Sequence, residues 1–431
     1  MKFSMDGLQE KITPVAGALA EVKPLKAVGQ GINSALPIIM VGSIAVLFAN
    51  LSVPGYQAFI VENGIRPIFS TINSMTMGLL AVYASLLISY RHAQLIDIDA
   101  ISCGIISLGA FLIATPIAQT AEGVNAIPVR WLGSPGLFLA IILGVIVPLI
   151  YKFLMDRKIF IRMPAGVPPV VEKSFAALTP GFLIFGIMGV LTILLSKTTF
   201  GSLHQIIYTI IQAPLTKLGG TYWAYLLIQT LTALVMFCGI HGTTVMSILT
   251  PVLIALNAEN LAAYEAGLAL PNIICQNFNI FGAPGGIGGT IGFAVLMMFF
   301  AKSAKGKALG KVTIVPSIFG INEPVVFGVP ILLNPIFFIP YLLSPIIHVT
   351  LAYVLTSVGI IPRLIGLQLN FTIPPIISGF LSGGPRAAIF QACQVFISMA
   401  IYYPFFKIMD TQALEEEVQA AQAKYGKEAD I

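Results

Sequence analysis

Between Glu265 and Lys302 the chain has no aspartate, glutamate, lysine or arginine, and between Lys311 and Arg363 it has one, Glu323. A helix needs roughly 20 apolar residues to cross a bilayer, and both gaps are long enough for that. Over the whole chain 57% of residues are hydrophobic and 10% charged, against about 25% charged in soluble domains. So few charges do not build a surface that meets water. The fold class expected is an all-α polytopic membrane protein, with lipid as its solvent.

Apolar spans are predicted at about 30–52, 67–90, 96–116, 134–154, 176–196, 219–239, 243–258, 288–302, 331–360 and 384–407, ten in all. Residues 1–28 are predicted to be an amphipathic lead-in. They mix Asp6, Glu10 and Glu21 with lysines, so the first span is expected to be retained rather than cleaved as a signal peptide. Residues 197–218 are mildly amphipathic and suit the membrane interface. The polar tail 408–431 suits a short cytoplasmic helix that frays.

Threading ten spans with both termini inside places 17 of the lysines and arginines on the cytoplasmic side and 6 outside. That asymmetry supports this orientation. It also explains the net charge of +5 without nucleic acid, which is not expected as a partner. The four cysteines, Cys103, Cys238, Cys275 and Cys393, show no CxxC and no metal spacing. They are read as small packing residues.

Three regions break the helical pattern. They are residues 272–292, rich in glycine and asparagine, residues 316–345, with six prolines, and residues 370–384. Broken backbone at membrane depth must be buried in protein or line a cavity, and in transporters it marks the binding site. All three breaks lie in the second half. This divides the chain into a scaffold or dimerisation half, 29–196, and a substrate-binding half, 219–407.

Two residues stand out chemically. Glu323 is the lone carboxylate of its segment, and a charge at the bilayer centre costs about 2.5–3.5 kcal/mol on insertion scales. Such a group is retained where it meets a partner, water or a substrate. Pro324 favours an extended or turn conformation for it. A carboxylate that only ties two helices together is the plainer reading. His241, between Gly239 and Gly242 in FCGIHGTT, offers an imidazole that both donates and accepts, which suits a hydroxyl. Alone, a histidine in an apolar stretch is more often a packing residue. His92 is placed in a cytoplasmic loop, and His204 and His348 are read as structural. The run GAPGGIGG, residues 282–289, lacks the spacing of a nucleotide-binding loop and is predicted to be a tight re-entrant turn. No triad, metal cluster or nucleotide motif is present in the sequence, so no cofactor is expected.

The segments FCGIHGTT, GINEPVVFGVPILLNP and RMPAGVPPVVEKSFAALTPGF resemble the membrane IIC component of phosphoenolpyruvate-dependent sugar phosphotransferase systems, most closely the lactose/cellobiose (diacetylchitobiose) branch. The likeness runs from about residue 10 to 407. It implies ten spanning helices, a homodimer formed by the first five, and two re-entrant hairpins that hold the sugar. It implies that His241 and Glu323 bind the sugar near its 6-hydroxyl and act in phosphoryl transfer, with Asn322 beside them. It also implies a sugar contact at Gly136, or Gly133. Relatives place a tryptophan five residues before the motif histidine and another in a PWTxP segment. Here those positions hold Met236 and Phe371. The phosphoryl group would come from a phosphocysteine on a IIB protein, with IIA, HPr and enzyme I upstream. The segment past the last span is too short for a fused IIB domain, so a separate partner is expected. The expected function is a permease of the bacterial cell membrane that carries a β-linked disaccharide or β-glucoside such as cellobiose, lactose or diacetylchitobiose. Two other readings are a proton-coupled secondary sugar transporter, with Glu323 carrying the proton, and a non-transporting membrane receptor.

Overall fold

The structure, a computed structural model, describes residue 18 and residues 21–50, 55–164 and 167–429. Most of the expected N-terminal lead-in, residues 1–17 and 19–20, lies outside the described residues. The helices are α1 (Lys23–Ala49), α2 (Tyr56–Glu62), α3 (Arg66–Thr76), α4 (Leu80–Leu95), α5 (Ala100–Ala114), α6 (Leu137–Asp156), α7 (Pro169–Ser196), α8 (Leu203–Ile207), α9 (Ala213–Gly219), α10 (Tyr222–Phe237), α11 (Thr243–Glu265), α12 (Asn279–Gly282), α13 (Ile291–Phe300), α14 (Ala304–Ile318), α15 (Glu323–Gly328), α16 (Pro335–Ser357) and α17 (Ile377–Ala429). A two-residue hairpin pairs β1 (Ala118–Gln119) with β2 (Asn125–Ala126).

Among the described residues, seven helices are long and apolar enough to cross a membrane. An eighth span forms if the pair Leu203–Gly219 and Tyr222–Phe237, bent by 73°, counts as one. The two other expected spans are short helices, α5 with 15 residues and α13 with 10. Among the described residues, length and composition thus support seven or eight full-length crossings, and the count of ten is not reached. α13 begins directly after the glycine turn, at Ile291, and ends at Phe300.

Other expectations need similar correction. The proline-rich stretch 316–345 is mostly helical, with Pro316 inside α14 and Pro340 and Pro345 inside α16. The breaks are confined to residues 319–322 and 329–334. Prolines are tolerated inside membrane helices because neighbouring helices, side chains and local adjustments can satisfy the freed carbonyls. His92 is not in a loop. It is buried in the last turn of α4, with Nδ1 3.0 Å from the Val145 carbonyl. The tail is the continuation of α17 rather than a separate helix.

The first-half helices pack closely because small residues line their contacts. Gly31 of α1 and Gly144 of α6 both press on Ile88 of α4, where a Cβ would come within 2.6 and 2.8 Å of its atoms. Ala81, Ala84, Ala110, Phe111 and Ala140 complete this core. By contrast, only 22% of the most apolar window of α7 is buried. Phe182, Val190 and Ile193 point outward, as befits a surface facing lipid or another apolar body.

The far end of α17 holds the start of α14. Asp410 accepts the Lys302 and Ser303 amide N–H groups and the Ser303 hydroxyl, at 2.8, 3.1 and 2.6 Å. Glu417, two turns further on, accepts the Ala304 and Lys305 amides at 3.0 and 2.9 Å. The first N–H groups of a helix have no internal acceptor. Here two carboxylates from one neighbour cap four consecutive amides, of which those of Ala304 and Lys305 open the helix.

Candidate functional site

Two irregular segments, one before α13 and one after α14, meet at their tips inside the second half. The first tip is the glycine run 282–289. Gly286 has φ +102°, and a Cβ there would lie 2.6 Å from the Asn322 side chain. Only glycine serves both demands. The second tip carries Asn322, whose Nδ2 donates to the Ile287 carbonyl and joins the two tips. Glu323 follows as the first residue of α15, with Pro324 next. It is helical rather than extended, because proline fits the first turn of a helix, where its missing N–H is no loss.

Carbonyls of α12 and of the glycine turn are met by one face of α17. Gln391 Nε2 donates to Ile280 O at 3.2 Å and Gln394 Nε2 to Phe281 O at 2.8 Å. The Ser398 hydroxyl donates to Gly289 O at 2.6 Å and the Tyr402 hydroxyl to Gly288 O at 2.8 Å. Positions 391, 394, 398 and 402 recur at helical spacing, so they lie on one face. Gln391 does more. Its Oε1 accepts the Ile376 and Gly379 amides, each at 2.7 Å, and so binds the third irregular segment to the first. Asn257 and Asn260 of α11 serve the same purpose, donating to the Gly366 and Leu364 carbonyls at 2.6 and 2.9 Å. Irregular backbone persists at this depth because these side chains replace water.

His241 sits in the short link between α10 and α11. The Thr243 N–H lies 3.4 Å from Nδ1, and the Thr243 hydroxyl 2.8 Å from it. A backbone N–H only donates, so Nδ1 accepts and Nε2 carries the ring proton. Nε2 lies 3.6 Å from Glu323 Oε1, and the two side chains are 53% and 45% exposed. That exposure opens on a cavity of about 390 Å³, within the roughly 300–1,000 Å³ of small-molecule sites.

The cavity takes in His241, Asn322, Glu323 and Phe371. It does not take in Met236 or Gly136. Met236 is buried among Phe237, Phe337 and Tyr341. Gly136 lies beneath Trp131, whose carbonyl a Cβ would strike. Gly133 lies against Gly78, where a Cβ would come 3.1 Å from the carbonyl oxygen. Further residues that sequence reasoning missed line the wall, including Gln229 and Thr232 of α10, Gln276, Asn277, Gln368 and Gln391. Five of these carry a buried oxygen with no protein hydrogen-bond partner: Gln229, Thr232, Gln276, Asn277 and Gln368. The available signal was an amide side chain isolated in an apolar run. His204 and His348 lie elsewhere. His204 contacts Thr115 at 2.9 Å and stacks on Trp131, and His348 contacts Gln394 at 3.3 Å.

Residues 29–345 match the family model described as phosphotransferase system, EIIC. The chain is 36% identical to the lichenan permease IIC component of Bacillus subtilis (strain 168), with 98% of each chain covered. It is also 36% identical to the cellobiose-specific EIIC component of Geobacillus stearothermophilus, over 95% of both. The lactose-specific EIICB component of Lacticaseibacillus casei is 30% identical, over 96% of this chain and 72% of that one. Among solved structures, the transporter ChbC, the IIC component of the N,N'-diacetylchitobiose-specific phosphotransferase system, superposes with a TM-score of 0.91 at 35% identity. That match covers 95% of this chain and 99% of ChbC. The helical bundle with its two meeting tips thus belongs to a multi-pass permease of the cell membrane, a member of the phosphotransferase system EIIC family.

Proposed function

We propose that the permease carries a β-linked disaccharide or β-glucoside and presents it in this cavity for phosphorylation. The observation that carries the reading is the pairing of His241 Nε2 with Glu323 Oε1 at 3.6 Å, on a wall of uncharged amides and hydroxyls. A sugar hydroxyl between them accepts from the His241 Nε2–H and donates to the Glu323 carboxylate. The Asn322–Ile287 bond holds that carboxylate's segment in place.

The reaction breaks the S–P bond of a phosphocysteine on a separate IIB protein and forms an O–P bond to the sugar. Alignment of the hydroxyl contributes most to such a transfer. Glu323 either takes the hydroxyl proton as a general base or orients the hydroxyl while its proton passes to the departing cysteine thiolate. The termini lie in the cytoplasm on this reading, since the lysine-rich loops are there. The first five expected spans serve as scaffold, and the outward face of α7 suits lipid or a second copy.

Purified protein in vesicles tests the proposal. Sugar phosphate should accumulate when phosphorylated IIB protein is supplied to the cytoplasmic face. Brisk concentrative uptake driven by a proton gradient, without any phosphoryl donor, would defeat it and favour the proton-coupled reading. Phe371 is 77% exposed where it borders the cavity, a ring placed to stack on a sugar face. Phe371→Ala is expected to weaken sugar binding about five- to tenfold, the loss of roughly 1 kcal/mol of stacking. Calorimetry showing unchanged affinity would remove Phe371 from the site.

A further inference from the structure

We propose that Thr243 is a positioning residue for the transfer, holding His241 in the one ring orientation and tautomer that aim an N–H at the reacting hydroxyl. This rests on the function proposed above. Thr243 is the first residue of α11, and the Gly242 before it supplies no side-chain cap. The first amides of the helix turn back to His241 instead. The Thr244 N–H donates to the His241 carbonyl at 3.3 Å. The Thr243 N–H donates to the ring at Nδ1, 3.4 Å away. The Thr243 hydroxyl reaches the same nitrogen at 2.8 Å.

The imidazole needs that hold. Its side chain is 53% exposed on a short link, and the torsion that turns its ring has two broad wells half a turn apart. In one well Nε2 faces Glu323 Oε1 at 3.6 Å. In the other, Cε1 stands where Nε2 was and Cδ2 where Nδ1 was. A carbon then meets the sugar hydroxyl, and Thr243 loses its acceptor. The same contacts set the tautomer, because the bond made at one ring nitrogen decides which nitrogen carries the proton. Donors on Nδ1 leave that proton to Nε2. With the proton on Nδ1, Nε2 would offer a lone pair and compete with Glu323 for the hydroxyl proton, and the ring would donate nothing to the hydroxyl oxygen.

Thr243→Val keeps the shape and the amide and removes the hydroxyl. With cellobiose and phosphorylated IIB protein, its kcat should fall about tenfold or more, the scale of a misaimed reacting contact. Its equilibrium affinity for cellobiose should change less than about threefold, since the loss falls on the transfer and not on uniform binding. Thr243→Ser restores the hydroxyl and should restore kcat. Thr250→Val, two turns along α11, loses a hydroxyl bonded to the Met246 carbonyl and should behave as wild type. Nitrogen-15 NMR of histidine-labelled protein in vesicles reads the ring itself. In the wild type and Thr243→Ser, the proton of His241 should sit on Nε2. In Thr243→Val the signals should move toward the other tautomer or a mixture of the two. Unchanged signals in Thr243→Val overturn the proposal, whatever the rates do. A fall in kcat that Thr243→Ser does not recover, or that Thr250→Val shares, also overturns it. So does a loss of affinity as large as the loss of kcat, which would make Thr243 a sugar contact. If the wild type forms no sugar phosphate from cellobiose, lactose or diacetylchitobiose, the proposed function fails, and the nitrogen signals alone still judge Thr243.

Discussion

Glu323→Gln is expected to lower sugar phosphorylation by two to four orders of magnitude while leaving the protein folded and membrane-inserted. The substitution keeps the shape of the side chain and removes its charge. An amide takes no proton, so any general-base contribution, typically about 10²–10⁴-fold, disappears. It also sets an N–H donor opposite the His241 Nε2–H, 3.6 Å from the original carboxylate oxygen, where the sugar hydroxyl should be gripped from both sides. Initial rates with phosphorylated IIB protein, over a range of sugar concentrations, measure the effect. A fall in kcat at steady KM identifies a base, and a rise in KM at steady kcat identifies a clamp. A variant that turns over within threefold of the wild type removes Glu323 from the chemistry.

Gln391→Leu should be the most destabilising single change in the second half. One amide accepts the Ile376 and Gly379 N–H groups, donates to the Ile280 carbonyl and pairs with the Ser378 hydroxyl. Each buried group left without a partner costs about 1–3 kcal/mol. Three or four together take a large share of the roughly 5–15 kcal/mol that stabilises a typical fold. Leucine fills the volume and satisfies none of them. The expected readout is loss of monodisperse protein in detergent and a much lower melting temperature. Cys393, two positions along on the same helix and exposed, provides the control, since Cys393→Ser should behave as wild type. A Gln391→Leu protein as heat-stable as its parent would show that the tip of the first segment does not depend on α17.

The parts of this architecture visible in the sequence were those set by solvent. The stretch 266–301, free of charged residues, and the stretch 312–362, with Glu323 as its one Asp, Glu, Lys or Arg, declare lipid, and a carboxylate left alone there declares a purpose. The glycine run 282–289 was legible as a turn because its composition suits no helix, and Gly285, Gly286, Gly288 and Gly289 all adopt positive φ. What could not be read was which way a side chain faces. Gln229 and Gln368 look like stray amides in apolar runs until α10 and the 367–378 segment are folded against the same cavity. Gln391, Gln394, Ser398 and Tyr402 share helical spacing, but their carbonyl partners lie over 100 residues away. His92 was misplaced because Arg91 beside it suggested a loop, whereas α4 continues to Leu95. Met236 and Gly136 were matched by position in a motif, and packing against Phe237 and Trp131 directs them away from the cavity.

The carboxylates at 410 and 417 give the polar tail a duty that its composition conceals. A chain trimmed just after Lys407 would retain every apolar crossing yet leave the amides of residues 302–305 unmoored. The segment ending in Asn322 and Glu323 would then hang from a loose root. Tags, fusions and truncations meant to spare the transporter should accordingly begin no earlier than the turn that follows Glu417.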